Sequence, residues 1–120
     1  MILDHVGIPV SNFERSKEFY TKVLEPLNYG IIMEVEGAAG FGRKPEFWIG
    51  EGGVSTGPLH VAFRAGNREG VRKFYEAAIA AGGKDNGPPG IREHYHPNYY
   101  GAFVFDPDGH NIEAVCHDPE

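Results

Sequence analysis

Two histidines, His5 and His60, hold the same place in two copies of one pattern, 55 positions apart. The sequence His-Val-Gly-Ile-Pro-Val-Ser-Asn runs from His5, and His-Val-Ala-Phe-Arg-Ala-Gly-Asn runs from His60. The same offset carries Asn12 onto Asn67, Glu14 onto Glu69, Phe19 onto Phe74 and Tyr20 onto Tyr75. Duplicated units that present matching side chains commonly meet around a shared site, and a pair of imidazoles is a natural set of divalent-metal ligands. Alternate residues of a strand point to opposite faces. If Val6, Ile8 and Val10 face the interior, His5 faces the other way; Val61 and Phe63 place His60 likewise, and Ile112 and Ala114 place Glu113. His5, His60 and Glu113 therefore form a candidate metal set. Two imidazoles and one carboxylate, with coordination positions left open, suit Fe2+, Mn2+, Ni2+, Co2+ or Zn2+. Taken singly, each would be read as a hydrogen-bonded structural histidine or a solvated glutamate. Their coincidence in the repeat and their common parity favour ligation.

The elements that must position these groups follow from apolar spacing. Residues 2–10 read as a strand, and Ser11 followed by Glu14 has the form of a capping box for a helix over 13–24, ended by Pro26. Strands are expected over 29–35, around Phe41, and over 47–49. The Gly/Pro-rich stretch 50–58 is the natural junction between halves. A strand over 59–65 repeats the first, Asn67 caps a second helix with the stripe Val71, Phe74, Tyr75, Ala78 and Ile79, and Gly82-Gly83 stops it. Next come a Gly/Pro-rich stretch, 85–90, and a polar aromatic segment, His94-Tyr95-His96-Pro97-Asn98-Tyr99-Tyr100. Strands follow over 102–105 and 111–116, joined by the tight turn Asp106-Pro107-Asp108-Gly109. The expectation is one α+β domain over 1–120, with module 1 spanning about 1–54 and module 2 about 55–120.

Composition bounds the function. A chain with 41% hydrophobic and 23% charged residues can build a core. Its net charge of −6 argues against phosphate-backbone binding, which needs clustered Lys and Arg. No apolar run approaches a membrane span, and the first residues lack a leader pattern. With Cys116 as the single cysteine there is no internal disulfide, and a cytoplasmic location is expected. Cys116 lies in an apolar run and reads as a buried inert thiol.

Asp4-His5-Val6, the helix carrying Phe19-Tyr20, His60 at the start of its strand and, above all, Asp106-Pro107-Asp108-Gly109-His110-Asn111-Ile112-Glu113 resemble the vicinal oxygen chelate superfamily of glyoxalases, extradiol dioxygenases and bleomycin-binding proteins. The resemblance covers nearly the whole chain. It implies two paired βαβββ modules forming an eight-stranded curved mixed sheet, a cup, with helices outside. It also implies a divalent metal on His5, His60 and Glu113, a small-molecule substrate, and a homodimer with modules in some relatives exchanged between chains. The reaction class would be lyase, isomerase or ring-cleaving dioxygenase. A non-catalytic, bleomycin-resistance-like protein that sequesters an aromatic compound is the alternative.

Two departures from the family pattern stand out. Glyoxalases carry a fourth, glutamate ligand where this chain has Trp48, with Glu46 two residues earlier on the same face. Extradiol enzymes carry a tyrosine ten residues before the ligand glutamate, where this chain has Phe103, and a histidine upstream of it, for which His96 is the candidate and His94 the reserve. On its own chemistry His96 is a candidate proton carrier. Trp48, Phe103, Phe105 and Tyr100 are candidate substrate walls. Arg64 sits on the His60 face and would pair with an anionic substrate group or form a rim salt bridge. His110 and His117 are expected to be solvated.

Overall fold

The computed structural model describes residues 3–53 and 59–119. Residue 2 of the first expected strand and residues 54–58 of the expected junction lie outside the described residues. The elements are β1 (Val6–Val10), α1 (Phe13–Leu24), a 3₁₀ turn (Glu25–Leu27), β2 (Gly30–Val35), β3 (Ala38–Gly42), β4 (Phe47–Glu51), β5 (His60–Arg64), α2 (Arg68–Ala80), β6 (Lys84–Ile91), β7 (Tyr100–Phe105) and β8 (Asn111–Cys116). The order βαβββ thus occurs twice. The strands form two four-stranded mixed sheets, β1-β4-β3-β2 and β5-β8-β7-β6. In each, the first strand pairs parallel with the last of its module (β1 with β4, β5 with β8), and the remaining pairs are antiparallel. This is the α+β module pair expected of a cup fold. β1 and β5 are edge strands of their sheets.

Each helix covers its sheet with an apolar stripe. In α1 the stripe is Phe13, Phe19, Tyr20, Val23 and Leu24, and in α2 it is Val71, Phe74 and Ala78. The cap of α1 is Asn12, whose Oδ1 accepts from the Arg15 N–H at 3.1 Å. Ser11, the cap expected from the capping box, is engaged elsewhere. Asn67 caps α2 as expected, accepting from the Gly70 N–H at 2.8 Å. A chain of rings runs through the interior between the two sheets. Tyr20 lies 5.1 Å from Phe47, and Phe47 meets Phe63 edge-on at 4.9 Å, so a β4 residue of the first sheet locks against a β5 residue of the second.

The Asp106–Gly109 turn joins β7 to β8 and also docks onto the end of β1. Asp106 is buried; its Oδ1 accepts from the N–H groups of Asp108 and His110, both at 2.9 Å, and its Oδ2 accepts from the Tyr20 hydroxyl at 2.5 Å. Burial, then the charge of Asp106, pushes the Tyr20 hydroxyl well above its ordinary pKa. Asp108 accepts from the N–H and the hydroxyl of Ser11. His110, expected to be solvated, is 3% exposed with a ring nitrogen 3.4 Å from the Pro9 carbonyl. The turn closes over it against β1, so its ring is taken out of water.

The Gly/Pro-rich stretch 85–90, which carries no strand signal of its own, belongs to strand β6. Pro88 and Pro89 fall in the interval between Gly87 and Gly90, where the β6–β7 register shifts. A missing N–H costs no ladder bond there, and β6 is in any case an edge strand.

Candidate functional site

Register brings Glu113 to the middle of the second sheet, beside Ala62 of β5 on one side and Phe103 of β7 on the other. The Glu113 carboxylate is 1% exposed. A buried carboxylate must have its oxygens occupied, and here they are. Oε1 lies 2.8 Å from Nε2 of His60, and Oε2 accepts from the Tyr99 hydroxyl. Desolvation, then the hydrogen bond to Glu113, raises the Tyr99 pKa far above its ordinary value. Gly101 makes room for this contact, since a Cβ there would meet Glu113 Oε2 at 3.3 Å and the Tyr99 ring at 3.2 Å. The Phe103 ring lies 6.1 Å from that of His60.

Tyr99 connects this pair to a second one. Its ring meets His117 at 5.3 Å and His96 at 5.5 Å, both edge-on. The two imidazoles are joined at 2.7 Å between His96 Nε2 and His117 Nδ1. The Asn98 N–H donates to His96 Nδ1 at 3.0 Å, so Nε2 of His96 carries the proton and donates to His117. His117, expected to be solvated, is half-buried through this pairing.

The remaining candidates lie elsewhere. His5 is exposed, with Nδ1 2.7 Å from Asp4 Oδ1, a contact that holds the Asp4 carboxyl below its usual pKa. Among the described residues no three His, Cys, Asp or Glu side chains converge closely enough to hold one ion. His5 and His60 instead line one cleft of about 420 Å³, with Glu46 and Arg64 at its polar edge and Leu24, Phe41, Phe47 and Phe63 in its walls. Glu46 Oε1 is occupied by the N–H groups of Arg43 and Lys44, at 2.7 and 2.9 Å, which hold its carboxyl below the usual range. Trp48 pairs with Gly7 of β1, on the face that continues from His5, and its ring lies over Gly40, where a Cβ would stand 2.9 Å from it. Tyr100 shares the parity of the core residues Ala102 and Val104. Its hydroxyl accepts from Arg72 of α2 at 3.2 Å, on the helix side of the sheet. Arg64 is exposed, and its carbonyl accepts from the Tyr29 hydroxyl at 3.1 Å.

The donor chemistry of His60 and Glu113 fits a divalent cation: a nitrogen and a carboxylate oxygen already face each other, and the carboxylate is buried against an imidazole and a phenol rather than exposed to water. Sequence reasoning missed Tyr99 as the partner of Glu113 and His117 as the partner of His96. The sequence puts Tyr95, Tyr99 and Tyr100 in one segment but does not show which ring turns inward.

A family model described as the Glyoxalase/Bleomycin resistance protein/Dioxygenase superfamily matches residues 30–114. No curated protein matches the chain. Among solved structures, the chain is similar to a glyoxalase/bleomycin resistance protein from Albidiferax ferrireducens T118, with 29% identity, 97% of this chain and 99% of that chain covered, and a TM-score of 0.87. A glyoxalase/bleomycin resistance protein/dioxygenase family enzyme from Burkholderia phytofirmans PsJN shares the fold at 19% identity, with 95% and 97% covered and a TM-score of 0.74. So does lactoylglutathione lyase from Agrobacterium tumefaciens, at 13% identity, 97% and 92% coverage and a TM-score of 0.70. Among the described residues no helix is long and apolar enough to cross a membrane.

Proposed function

The chain belongs to the glyoxalase/bleomycin resistance protein/dioxygenase superfamily, and from that premise we propose that it is a divalent-metal-dependent enzyme acting on a small molecule with two neighbouring oxygens, as a lyase, isomerase or ring-cleaving dioxygenase. His60 and Glu113 would hold the ion, with His5 as third ligand and Fe2+, Mn2+, Ni2+, Co2+ or Zn2+ as candidates. When bound, such an ion would supply Lewis-acid stabilisation of negative charge on the two oxygens. The single observation that carries the reading is Glu113, a buried carboxylate aimed at a strand histidine and steadied by a tyrosine.

The chain's own groups do the rest. Tyr99 fixes the Glu113 rotamer, so the oxygen next to His60 stays in place. Phe103 and Trp48 give the bound molecule apolar walls and exclude water. Arg64 lies on the cleft edge, open to a polar group of the substrate. The His96–His117 pair, packed on the Tyr99 ring, holds and moves the proton. Tyr100 would support β7 from the helix side rather than touch the substrate. The protein would act as a homodimer, in a cytoplasmic setting.

The test is metal content and Mn(II) affinity of the protein purified without chelator. We expect stoichiometric uptake by the wild type and a loss of at least ~100-fold in affinity in Glu113→Gln and His60→Ala, since each removes a direct ligand. Wild-type protein that binds no divalent ion ends this reading. A second reading, sequestration of an aromatic compound, is favoured by the apolar walls of the 420 Å³ cleft. It expects tight dye or drug binding that Glu113→Gln leaves unchanged.

A further inference from the structure

We propose that Arg92 is the anion-binding residue of the His60–Glu113 site, so that its substrate carries a carboxylate in addition to the two neighbouring oxygens. The inference rests on the metal-site reading above. The loop 92–99 is stapled at its base, where the Arg92 N–H donates to the Tyr99 carbonyl at 2.7 Å. Its two ends are therefore neighbours at the rim of the second sheet. One end sends the Tyr99 hydroxyl to Glu113. The other lays the Arg92 guanidinium over the Phe103 ring, 5.4 Å from its centroid, and that ring borders His60.

The backbone has been cleared for this placement. A Cβ on Gly87 would stand 3.1 Å from Arg92 Nη2 and 3.1 Å from the Phe103 ring, and one on Gly90 would stand 3.1 Å from Nη1. In that trough Nη2 donates to the Pro88 carbonyl at 2.7 Å. Stacking and this one bond fix the plane of the guanidinium. Arginine has five N–H donors, and those not used on Pro88 suit a carboxylate held by two parallel hydrogen bonds. A chain of net charge −6 repels anions at long range, so an anionic substrate needs such a local cation. Ion-pair geometry on a flat aromatic base favours a carboxylate over a neutral amide of the same shape.

The test uses 3,4-dihydroxybenzoate and its neutral analogue 3,4-dihydroxybenzamide, titrated calorimetrically into Mn(II)-loaded wild type, Arg92→Gln and Arg92→Lys. We expect the wild type to prefer the benzoate by about ten-fold or more, as one charge-assisted hydrogen-bond pair provides. Arg92→Gln should bind both probes alike, Arg92→Lys should keep part of the preference, and Mn(II) affinity should be the same in all three. Equal affinity of the two probes in the wild type overturns the inference. So does a preference that survives in Arg92→Gln, or failure of both probes to bind the loaded protein. If the wild type takes up no Mn(II), the metal reading fails by itself, and the same pair of probes on the metal-free protein still decides the role of Arg92.

Discussion

Glu113 is the residue on which the candidate chemistry turns, and its cost of burial is offset by two neighbours of different kinds. In the proposed site His60 would share the ion with Glu113, while the Tyr99 hydroxyl, which donates to the carboxylate, would act as its fixed partner. Tyr99→Phe keeps the ring that packs on His96 and His117 and removes only the hydroxyl. Outer partners of ligating carboxylates typically influence metal affinity by ~10–100-fold, and we expect Mn(II) affinity in Tyr99→Phe to fall by about the lower figure. Unchanged affinity would show that Tyr99 merely fills space. The raised pKa values of Tyr99 and Tyr20 carry a second expectation. A phenol whose folded pKa lies above its unfolded value near 10 binds its proton more tightly when folded. Its stabilising contribution is complete below that unfolded value and is lost as pH rises from there through the folded value. Denaturant stability should therefore decline above about pH 10, with Tyr20→Phe flattening the slope, and absorbance at 295 nm should show two phenols ionising above the ordinary phenol range.

At the scale of elements, the Asp106–Gly109 turn is the piece whose function differs most from its sequence appearance. It reads as a hairpin turn next to the expected ligand Glu113, yet its acidic side chains tie β8 to Tyr20 of α1 and Ser11 of the β1–α1 junction. Asp106→Ala would strip a partner from the buried Tyr20 hydroxyl and from two N–H groups. Unsatisfied buried groups cost roughly 1–3 kcal/mol each, so a loss of about 3 kcal/mol, on the order of 10 °C in Tm, is expected. Calorimetry checks it, and a Tm within ~2 °C of wild type would reduce the turn to a simple connector. Much of the fold was legible because its signals are local. The helix over 13–24, the Asn67 cap and the strand over 111–116 each rest on apolar period or a single capping side chain. The failures involve partners distant in sequence. Ser11 looked like a cap because the acidic residue that claims it is 97 positions away. His110 looked solvated because Pro9, 101 positions away, was invisible. β6 gave no strand signal because prolines at a register shift look no different in sequence from prolines in a turn. For the site, strand parity brought out His60 and Glu113, but no spacing rule could say which of Tyr95, Tyr99 and Tyr100 faces inward.

For the whole molecule, the decisive fact is that the three expected ligands divide between two sheets. His60 and Glu113 meet on the second, while His5 stands exposed ahead of β1 on the first, and among the described residues no third ligand joins the pair. β1 and β5 are both edge strands, and Leu3 and Val6, near the first of these edges, are exposed, as are Ile32, Met33 and Val35 on β2. Open edges and exposed apolar groups together favour association with another copy. In a two-fold dimer one contact is made twice, so His5 of each copy can complete the His60–Glu113 pair of the other. The proposed dimer makes this arrangement testable without a structure of the complex. His5→Ala and Glu113→Gln each lack one ligand, and each homodimer should be metal-poor. When the two are unfolded together and refolded as a mixture, half of the dimers are mixed, and each mixed dimer contains one site with every ligand intact. About a quarter of the wild-type high-affinity Mn(II) sites should then reappear, as random pairing of a symmetric dimer requires. If the site instead forms within one chain, the mixture binds no more than its parents, because no chain in it carries a complete set.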